Sequence, residues 1–273
     1  MMQKLKTTYL GLIVLFLYAP IGVLIAQSFN ASRYRGQWTG FTCDWYLSLL
    51  GNEDIIEAFG NTLTIGLTSA ALATILALVT AIGLRSMGYR SRLVLRGTAN
   101  VPLLNADIVT GISLMLLFLG LGLRLGYDTI LLAHIVISLP YAMLCILPQV
   151  MALDNVCYEA ALDLGAAPWQ AFRKVILPEL VPGILAAYLL SFAMSADDFI
   201  VTYFTKGAGI DTLTTEIYAE LKIGVHPEMY ALSTLFFAAV IVLVALLLVN
   251  YRVISRYRQA GRGQHVLRTI PLL

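Results

Sequence analysis

Residues 159–165 read Glu-Ala-Ala-Leu-Asp-Leu-Gly, and residues 175–178 read Val-Ile-Leu-Pro. They belong to a polar segment that lies between two long apolar stretches. Across residues 153–164 the apolar side chains recur at the three- and four-residue spacing of one helical face. Gly165 suits the left-handed backbone that ends such a helix, and Pro168 suits the first turn of the next one. The segment therefore predicts a helix–turn–helix insert between two hydrophobic spans.

Charged residues are sparse on both sides of this insert. Of the 273 residues, 59% are hydrophobic and 12% are charged, whereas about a quarter are charged in soluble proteins. Six charge-poor stretches each supply the ~20 apolar residues that a helix needs to cross ~30 Å of hydrocarbon. They lie between Lys6 and Arg33, Glu57 and Arg85, Arg96 and Arg124, Asp128 and Asp154, Glu179 and Lys206, and Glu228 and Arg252. The composition predicts an all-α integral membrane protein with six transmembrane helices.

The basic residues indicate how these spans are oriented. Of the 18 lysines and arginines, 13 lie on the side that holds both termini and the insert, and 5 lie on the other side. Because cytoplasmic segments carry the excess of basic residues, both termini and the insert are predicted to be cytoplasmic. The first apolar stretch is long and lacks an obvious small-residue cleavage site, so an uncleaved span is favoured over a signal peptide. Cys43, Cys145 and Cys157 do not share an oxidising compartment in this topology, which argues against a disulfide.

The insert resembles the cytoplasmic loop by which permease subunits of bacterial ABC importers dock onto their ATPases. Three features carry the resemblance: the Glu-Ala-Ala start, the glycine six residues after Glu159, and the hydrophobic-x-Leu-Pro end. Val175 stands where isoleucine is more usual in the family. An ordinary amphipathic loop on the membrane surface is the alternative, since amphipathicity alone does not distinguish the two. On these motifs the chain is similar to the ABC transmembrane type-1 permease family, whose core is called MetI-like.

The resemblance implies a role for particular residues of the insert. In that family the short helix after the glycine lies in a groove on the ATPase. The residues expected to shape the coupling element or to contribute its contact area are Glu159, Ala160, Ala161, Gly165 and Trp169.

The likeness extends over residues 57–251 and is greatest to spermidine/putrescine permeases, specifically to the second of their two permease subunits. The motifs that carry it are residues 107–109 and 112–114, 138–140, 191–192 with 197–198, and 224–228 with 231–234. The expected organisation is an N-terminal helix and external loop (1–56), a permease domain (57–251) with a coupling loop (153–178), and a basic cytoplasmic tail (252–273).

The family resemblance also implies the partners. A sister permease subunit, two ATPase subunits and an extracytoplasmic substrate-binding protein are expected, in the cell membrane of a bacterium or archaeon. ATP and magnesium are expected on the ATPase, because this chain lacks the Walker A sequence. No cofactor, metal cluster, catalytic residue or nucleic-acid motif is predicted here, so the chain is expected to be a pore subunit and not an enzyme. The solute is left open among spermidine, putrescine and other small solutes.

Three aspartates lie inside predicted spans, where an ionised carboxylate costs about 2.5–3.5 kcal/mol on insertion scales. Asp107 is expected near the middle of the membrane, and Asp197 and Asp198 nearer the outside. On a continuous helix Asp198 shares a polar stripe with Ser195 and Thr202, while Asp197 is rotated by ~100°. We therefore expect Asp198 to line the solute pathway and Asp197 to meet another helix or the outer headgroup zone.

The polar stripe also has a structural interpretation, in which the aspartates cap or hydrogen-bond neighbouring helices. On the transport interpretation, aromatic side chains such as Phe199 and Tyr203 add cation–π attraction for a polycation. An intramembrane aspartyl protease is disfavoured because adjacent helical residues point ~100° apart and do not jointly hold one water. An ion-coupled secondary transporter remains the rival, since buried acids often carry protons.

Overall fold

The computed structural model describes residues 2–32, 37–223, 227–242 and 244–245. The predictions for residues 224–226, for the end of the sixth span and for the basic tail lie outside this set. The helices, in chain order, are α1 (Met2–Ser28), α2 (Asp44–Leu50), α3 (Glu53–Ser86), α4 (Tyr89–Ala99), α5 (Val101–Leu104), α6 (Asp107–Gly120), α7 (Tyr127–Ala152), α8 (Asn155–Asp163), α9 (Pro168–Ala171), α10 (Leu177–Asp197), α11 (Ile200–Thr205), α12 (Leu213–Ile223) and α13 (Pro227–Val242).

Among the described residues, four helices are long and apolar enough to cross a membrane. These are Thr8–Ser28, Glu53–Ser86, Tyr127–Ala152 and Pro168–Asp197. Two shorter apolar helices, Asp107–Gly120 and Pro227–Val242, fall within the third and sixth predicted stretches. The all-helical class is confirmed over the described residues, and the count of six spans remains a prediction.

The chain divides into two compact units. The first comprises residues 1–52 and 223–273, of which the described part contains α1, α2 and α13. The segment between α1 and α2 folds around Asn30, whose side-chain amide donates to the Gln37 carbonyl at 2.8 Å and whose own carbonyl accepts from the Trp45 indole at 2.8 Å. The rings of Phe29 and Phe41 stack with their centroids 5.1 Å apart. These contacts give a polar loop its own small packed centre.

The second unit, residues 53–222, is built on α3, α7 and α10, which pack against one another. Their shared core is rich in small side chains, which let helix backbones approach closely in a membrane. Its buried members are Ala77, Ala81, Leu84, Ala142, Met143, Ile146, Val150, Leu180 and Ala187. At Gly66 an added Cβ would lie 3.0 Å from the ring of Phe192, so a larger residue there would require this ring to shift by a few tenths of an ångström.

Two predicted spans are broken, and this corrects the continuous-helix assumption made from sequence. The third is interrupted between α5 and α6, where Asn105 and Ala106 have extended backbone (ψ 148° and 137°). The fifth is interrupted at Asp198, which has ψ 124° and separates α10 from α11. The polar stripe drawn on a continuous helix therefore does not extend from Ser195 to Thr202. In both cases the break lies beside an aspartate.

Two arginines close the helix ends next to the coupling loop. The Arg85 guanidinium donates to the carbonyls of Val150 and Leu153, each at 2.8 Å, where α7 ends. Arg92 donates to the Leu84 carbonyl at 3.0 Å, where α3 ends. The last carbonyls of a helix have no partner within the helix and carry partial negative charge, so a guanidinium stabilises them. These arginines thus tie the cytoplasmic end of the bundle together, in the orientation predicted above.

Gly207→Ala is predicted to destabilise the second unit more than Gly209→Ala. Both glycines have left-handed backbone, with φ +65° and +87°, which costs an alanine about 1–2 kcal/mol. A Cβ at Gly207 would also lie 2.3 Å from the Leu125 carbonyl oxygen, whereas nothing lies within 4 Å at Gly209. We expect an additional loss of about 1–3 kcal/mol at Gly207 from this overlap. Thermal unfolding of the full chain in detergent measures the difference in stability between the two variants. Equal losses of stability would contradict the contact described between Gly207 and Leu125.

Candidate functional site

The three aspartates predicted to lie inside the membrane line one cavity of about 370 Å³ in the second unit. Asp107 opens α6, Asp197 ends α10, and Asp198 follows it in the break. The full lining is Pro102, Asp107, Thr110, Ile137, Tyr141, Met194, Asp197, Asp198, Phe199 and Ile200. The two helix breaks therefore bring together carboxylates that are about 90 residues apart in sequence. Asp107 and Asp197 are exposed, and Asp198 is half-buried.

Asp198 is held in place by the helix that follows it. Its carboxylate accepts the backbone N–H of Val201 at 3.3 Å and that of Thr202 at 2.7 Å. Its backbone carbonyl accepts the Thr214 hydroxyl of α12 at 2.8 Å. The first N–H groups of a helix lack partners within the helix, and a carboxylate is the favoured group to cap them. Asp198 thus has a structural role and also faces the cavity, so the two interpretations made from sequence are compatible.

A buried chain of hydrogen bonds lies behind Asp198. The Ser69 hydroxyl donates to Ser195 at 3.0 Å, and the Ser195 Oγ lies 2.6 Å from Nδ1 of His134. Nε2 of His134 lies 2.8 Å from the Thr202 Oγ1, and that hydroxyl donates to Asp198 Oδ2 at 2.9 Å. All four bonds run in one direction when the imidazole carries its proton on Nε2. Helix α3, helix α7 and both sides of the break are joined through this chain.

The remaining predicted pathway residues lie around the cavity without lining it. Ser195 and Thr202 are buried in the interface between helices, where they hydrogen-bond to His134. Tyr203 is 48% exposed, and its ring centroid lies 5.6 Å from that of Phe199, which does line the cavity. The role of these residues in a pathway remains a prediction. Tyr141 and Thr110 join the lining although sequence gave no cavity role to either one.

A second acidic cavity, of about 310 Å³, lies where α3 meets the segment before α12. Its lining includes Asp54, Glu57, Asp211 and Glu216. Burial raises the pKa of the Glu216 carboxyl, and the neighbouring carboxylates of Asp211, Glu220 and Asp54 raise it further. Lys206 forms an ion pair with Asp211. The cavity is thus a region of negative potential on the face predicted to be external.

The insert forms the helix–turn–helix that its sequence predicts. Helix α8 begins after Asp154, whose side chain accepts the Val156 N–H at 3.0 Å. It ends at Asp163, and Gly165, two residues later, has the left-handed φ of +87°. The Gly165 N–H donates to the Leu162 carbonyl at 2.8 Å, and the Ala166 N–H donates to the Ala161 carbonyl at 3.0 Å. This pair of bonds is a Schellman motif, which satisfies two carbonyls at the helix end.

The second helix of the insert begins at Pro168, as predicted, but it does not end before the fifth span. Helix α9 continues through a π-helical turn, Phe172–Ile176, into α10, so Pro168–Asp197 is one long helix. Pro178 lies in the first turn of α10, where the fifth predicted span begins. One continuous helix therefore joins the insert to Asp197, the last residue of α10 at the acid-lined cavity.

The apolar face predicted for α8 is turned outward. Leu164 is 90% exposed and Val156 65% exposed, whereas Tyr158 and Leu162 are the half-buried side of the helix. On α9, Trp169 is 67% exposed, and its ring is stacked on that of Phe172 with centroids 5.6 Å apart. We call Val156, Cys157, Ala160, Leu164 and Trp169 the insert surface. Glu159, Ala160 and Gly165 are exposed, and Ala161 is half-buried.

Residues 3–257 match the family described as "Binding-protein-dependent transport system inner membrane component". The spermidine/putrescine transport system permease protein PotC of Shigella flexneri is 36% identical over 264 residues, which cover 97% of this chain and 98% of that protein. The putrescine transport system permease protein PotI of Escherichia coli K12 is also 36% identical, over 82% of this chain and 83% of that protein. These relatives are permease subunits.

The fold is also found in solved structures. A bacterial ABC transporter that imports the acidic polysaccharide alginate has a chain that superposes with a TM-score of 0.70 at 19% identity, covering 92% of this chain and 95% of that one. The alginate transporter in complex with its pentasaccharide-bound periplasmic protein has a chain with a TM-score of 0.64, also at 19% identity, over 90% of this chain and 92% of that one. At this identity the likeness establishes the fold alone.

Thr202→Val is predicted to weaken the buried chain of hydrogen bonds and thereby to destabilise the protein, and Thr205→Val is the matched control. Both threonines are fully buried. The Thr202 hydroxyl contacts His134 and Asp198, whereas the Thr205 hydroxyl donates to the Val201 carbonyl of its own helix. Loss of the Thr202 hydroxyl leaves buried polar groups with fewer partners, which costs about 1–3 kcal/mol. Unfolding in detergent is expected to show a larger loss of unfolding free energy for Thr202→Val than for Thr205→Val. An equal or smaller loss would show that the hydrogen bonds of Thr202 to His134 and Asp198 do not stabilise the fold.

Proposed function

Because the chain belongs to the family of binding-protein-dependent transport system inner membrane components, we propose that it is the permease subunit of an ABC importer that takes up polyamines. The observation that carries the substrate class is the convergence of Asp107, Asp197 and Asp198 on one cavity. Two permease relatives that carry spermidine/putrescine or putrescine in their names, each 36% identical, support the same class.

The chemistry of the cavity fits a flexible polycation. An amine that enters the membrane loses hydration, and carboxylates spaced along its path offset that loss. Tyr141 and Phe199 in the same lining present aromatic faces to the ammonium groups. The second acidic cavity, with Asp54, Asp211 and Glu216, attracts cations before they reach the solute pathway. Spermidine and putrescine differ in length and charge, and the cavity is compatible with either.

We propose that the insert surface is the site at which an ATPase drives the permease. Large exposed apolar side chains beside a polar rim are typical of protein contact sites. Leu164 and Trp169 are such side chains, and they are 90% and 67% exposed. ATP-driven closure of two ATPase subunits would displace the insert and, through the long helix that starts at Pro168, bias the breaks that hold the aspartates. The cavity would then alternate between outward and inward access.

The other partners follow from the same family membership. A sister permease would complete the pathway, and an extracytoplasmic binding protein would deliver the solute. The alginate importer is described with a substrate-bound periplasmic protein, which supports a binding protein for this chain. The permease itself carries out no chemistry on the solute.

Uptake of labelled spermidine tests the pathway. In vesicles that contain this chain with its partner subunits, ATP-dependent uptake is expected to saturate and to be competed by putrescine. Asp107→Asn, Asp197→Asn and Asp198→Asn are each expected to lower kcat/KM about tenfold, which corresponds to about 1.4 kcal/mol of lost stabilisation of the cation. Asp128→Asn is the control, since Asp128 is exposed and lies outside the cavity.

The outcomes separate the candidate functions. An equal loss of kcat/KM in the Asp128→Asn control would show that the cavity carboxylates have no specific role in uptake. ATPase activity that a binding protein stimulates, without polyamine uptake, would support an ABC importer and show that polyamines are not its substrate. Uptake that resists vanadate but is abolished by an ionophore would favour an ion-coupled secondary transporter.

Leu164→Ala and Trp169→Ala are predicted to weaken binding of the ATPase subunits. Loss of a central aromatic contact typically costs about 2 kcal/mol or more, which is about 30-fold in affinity. Leu93→Ala is the matched control, because Leu93 is 60% exposed on α4 and lies outside the insert. Co-purification of the ATPase at increasing salt or detergent measures the effect. Unchanged co-purification of both insert variants would show that the ATPase docks elsewhere.

A further inference from the structure

A cavity of about 390 Å³ in the second unit has no role in the proposed transport mechanism. It lies between α4 and the cytoplasmic half of α7, in the predicted orientation, and shares no lining residue with either acidic cavity. Its lining consists of Arg96, Asn100, Met143, Leu144, Leu147, Pro148 and Met151. One end of the cavity is thus basic and polar, and the α7 side is apolar.

Arg96 differs from Arg85 and Arg92 in its hydrogen bonding. Arg85 and Arg92 donate their guanidinium hydrogens to backbone carbonyls at helix ends. The Nε of Arg96 is buried and has no hydrogen-bond partner among the described residues. A buried donor without a partner is unfavourable, and an arginine guanidinium is suited to a phosphate or carboxylate group. Asn100, one helical turn further along α4, adds a second polar side chain to the same lining.

The rest of the lining favours an amphiphile over a small free anion. Two methionines, two leucines and a proline make up the α7 side. Methionine and leucine side chains on a groove of this size are suited to an acyl chain and contribute nothing to a hydrated phosphate ion. Leu144 is 54% exposed along this face, so the groove is open at the surface of the unit.

Helix α4 itself has the character of a helix that lies at the membrane surface. Tyr89, Leu93 and Val94 are exposed large apolar side chains, and Arg90 is an exposed base on the same short helix. A helix that combines exposed apolar and basic residues binds at the headgroup level of anionic membranes. Basic pockets beside transmembrane helices on the cytoplasmic side are suited to anionic lipid headgroups.

We propose that this cavity is a binding site for an anionic phospholipid. The headgroup phosphate accepts hydrogen bonds from Arg96 and Asn100, and one acyl chain lies along Leu144, Leu147 and Met151 of α7. The lipid thereby links α4, which precedes the broken third span, to α7 of the central bundle. This assignment depends on the membrane setting and does not depend on which solute is transported.

Lipid titration of the full-length chain, monitored by native mass spectrometry, tests the site. Phosphatidylglycerol is expected to bind more tightly than phosphatidylcholine with the same acyl chains. Arg96→Gln is expected to lower the affinity for phosphatidylglycerol about tenfold, as for the loss of a charge-assisted hydrogen bond. Arg90→Gln, the same change on an exposed arginine of the same helix, is expected to stay within about twofold of the parent chain.

Two further measurements distinguish the sources of phosphate and guard against misfolding. Inorganic phosphate or glycerol phosphate, at concentrations matching the lipid phosphate, is not expected to displace the lipid; displacement would identify a free-anion site and overturn the proposal. Leu144→Trp, which fills the groove and keeps Arg96, is expected to lower lipid affinity with an unchanged melting temperature in lipid-free detergent. Full retention of phosphatidylglycerol by Leu144→Trp, or equal effects of Arg96→Gln and Arg90→Gln, would also overturn it.

Discussion

The bilayer offers no water to a backbone N–H or C=O group that lacks a partner, so the broken helices of the second unit need side chains that supply one. A continuous helix satisfies its own backbone, but a broken helix exposes several groups at each break. The chain supplies side chains at those points. Asp198 accepts the first N–H groups of α11, and Arg85 and Arg92 occupy the last carbonyls of α7 and α3. These three charged residues therefore satisfy backbone groups that the helix ends leave without a partner.

The same breaks create the site. A helix end directs unsatisfied backbone groups and a capping carboxylate into one region, and two such ends meet in the acid-lined cavity. The cost of placing Asp198 in the membrane is thereby offset partly by capping bonds that the fold needs in any case. The role proposed for it in transport, attraction of a cation, would require no additional buried charge. The bonds from Thr202 through His134 to Ser195 and Ser69 hold the break against α7 and α3, so the position of the carboxylate is tied to the packing of the bundle.

The sequence predicted those features that depend on local chemistry. Hydrophobic length predicted helical spans, Gly165 and Pro168 predicted the ends of the insert helices, and the family motifs predicted the permease family that residues 3–257 match. It did not predict the breaks at residues 105–106 and 198, because the local composition there is compatible with a continuous helix and tertiary contacts decide. That error carried into the phase argument, which separated Asp197 from Asp198. Periodicity also identified an apolar stripe on α8, but it does not say whether this chain or a partner covers that stripe.

The outward stripe on α8 is itself informative once the core is known. If α8 packed only against its own chain, Leu164 and Val156 would be buried and Tyr158 would face outward, yet the described structure shows the reverse. A surface this apolar, at a turn predicted to be cytoplasmic, is unfavourable in water unless a partner covers it. The turn is also rigid, because the Schellman bonds at Gly165 fix its geometry and the helix from Pro168 runs on without a break to Asp197. Under the proposed coupling, a force applied at the insert surface would reach Asp197 and Asp198, which lie at the break after α10. A flexible loop at this position would dissipate the same displacement before it reached the cavity.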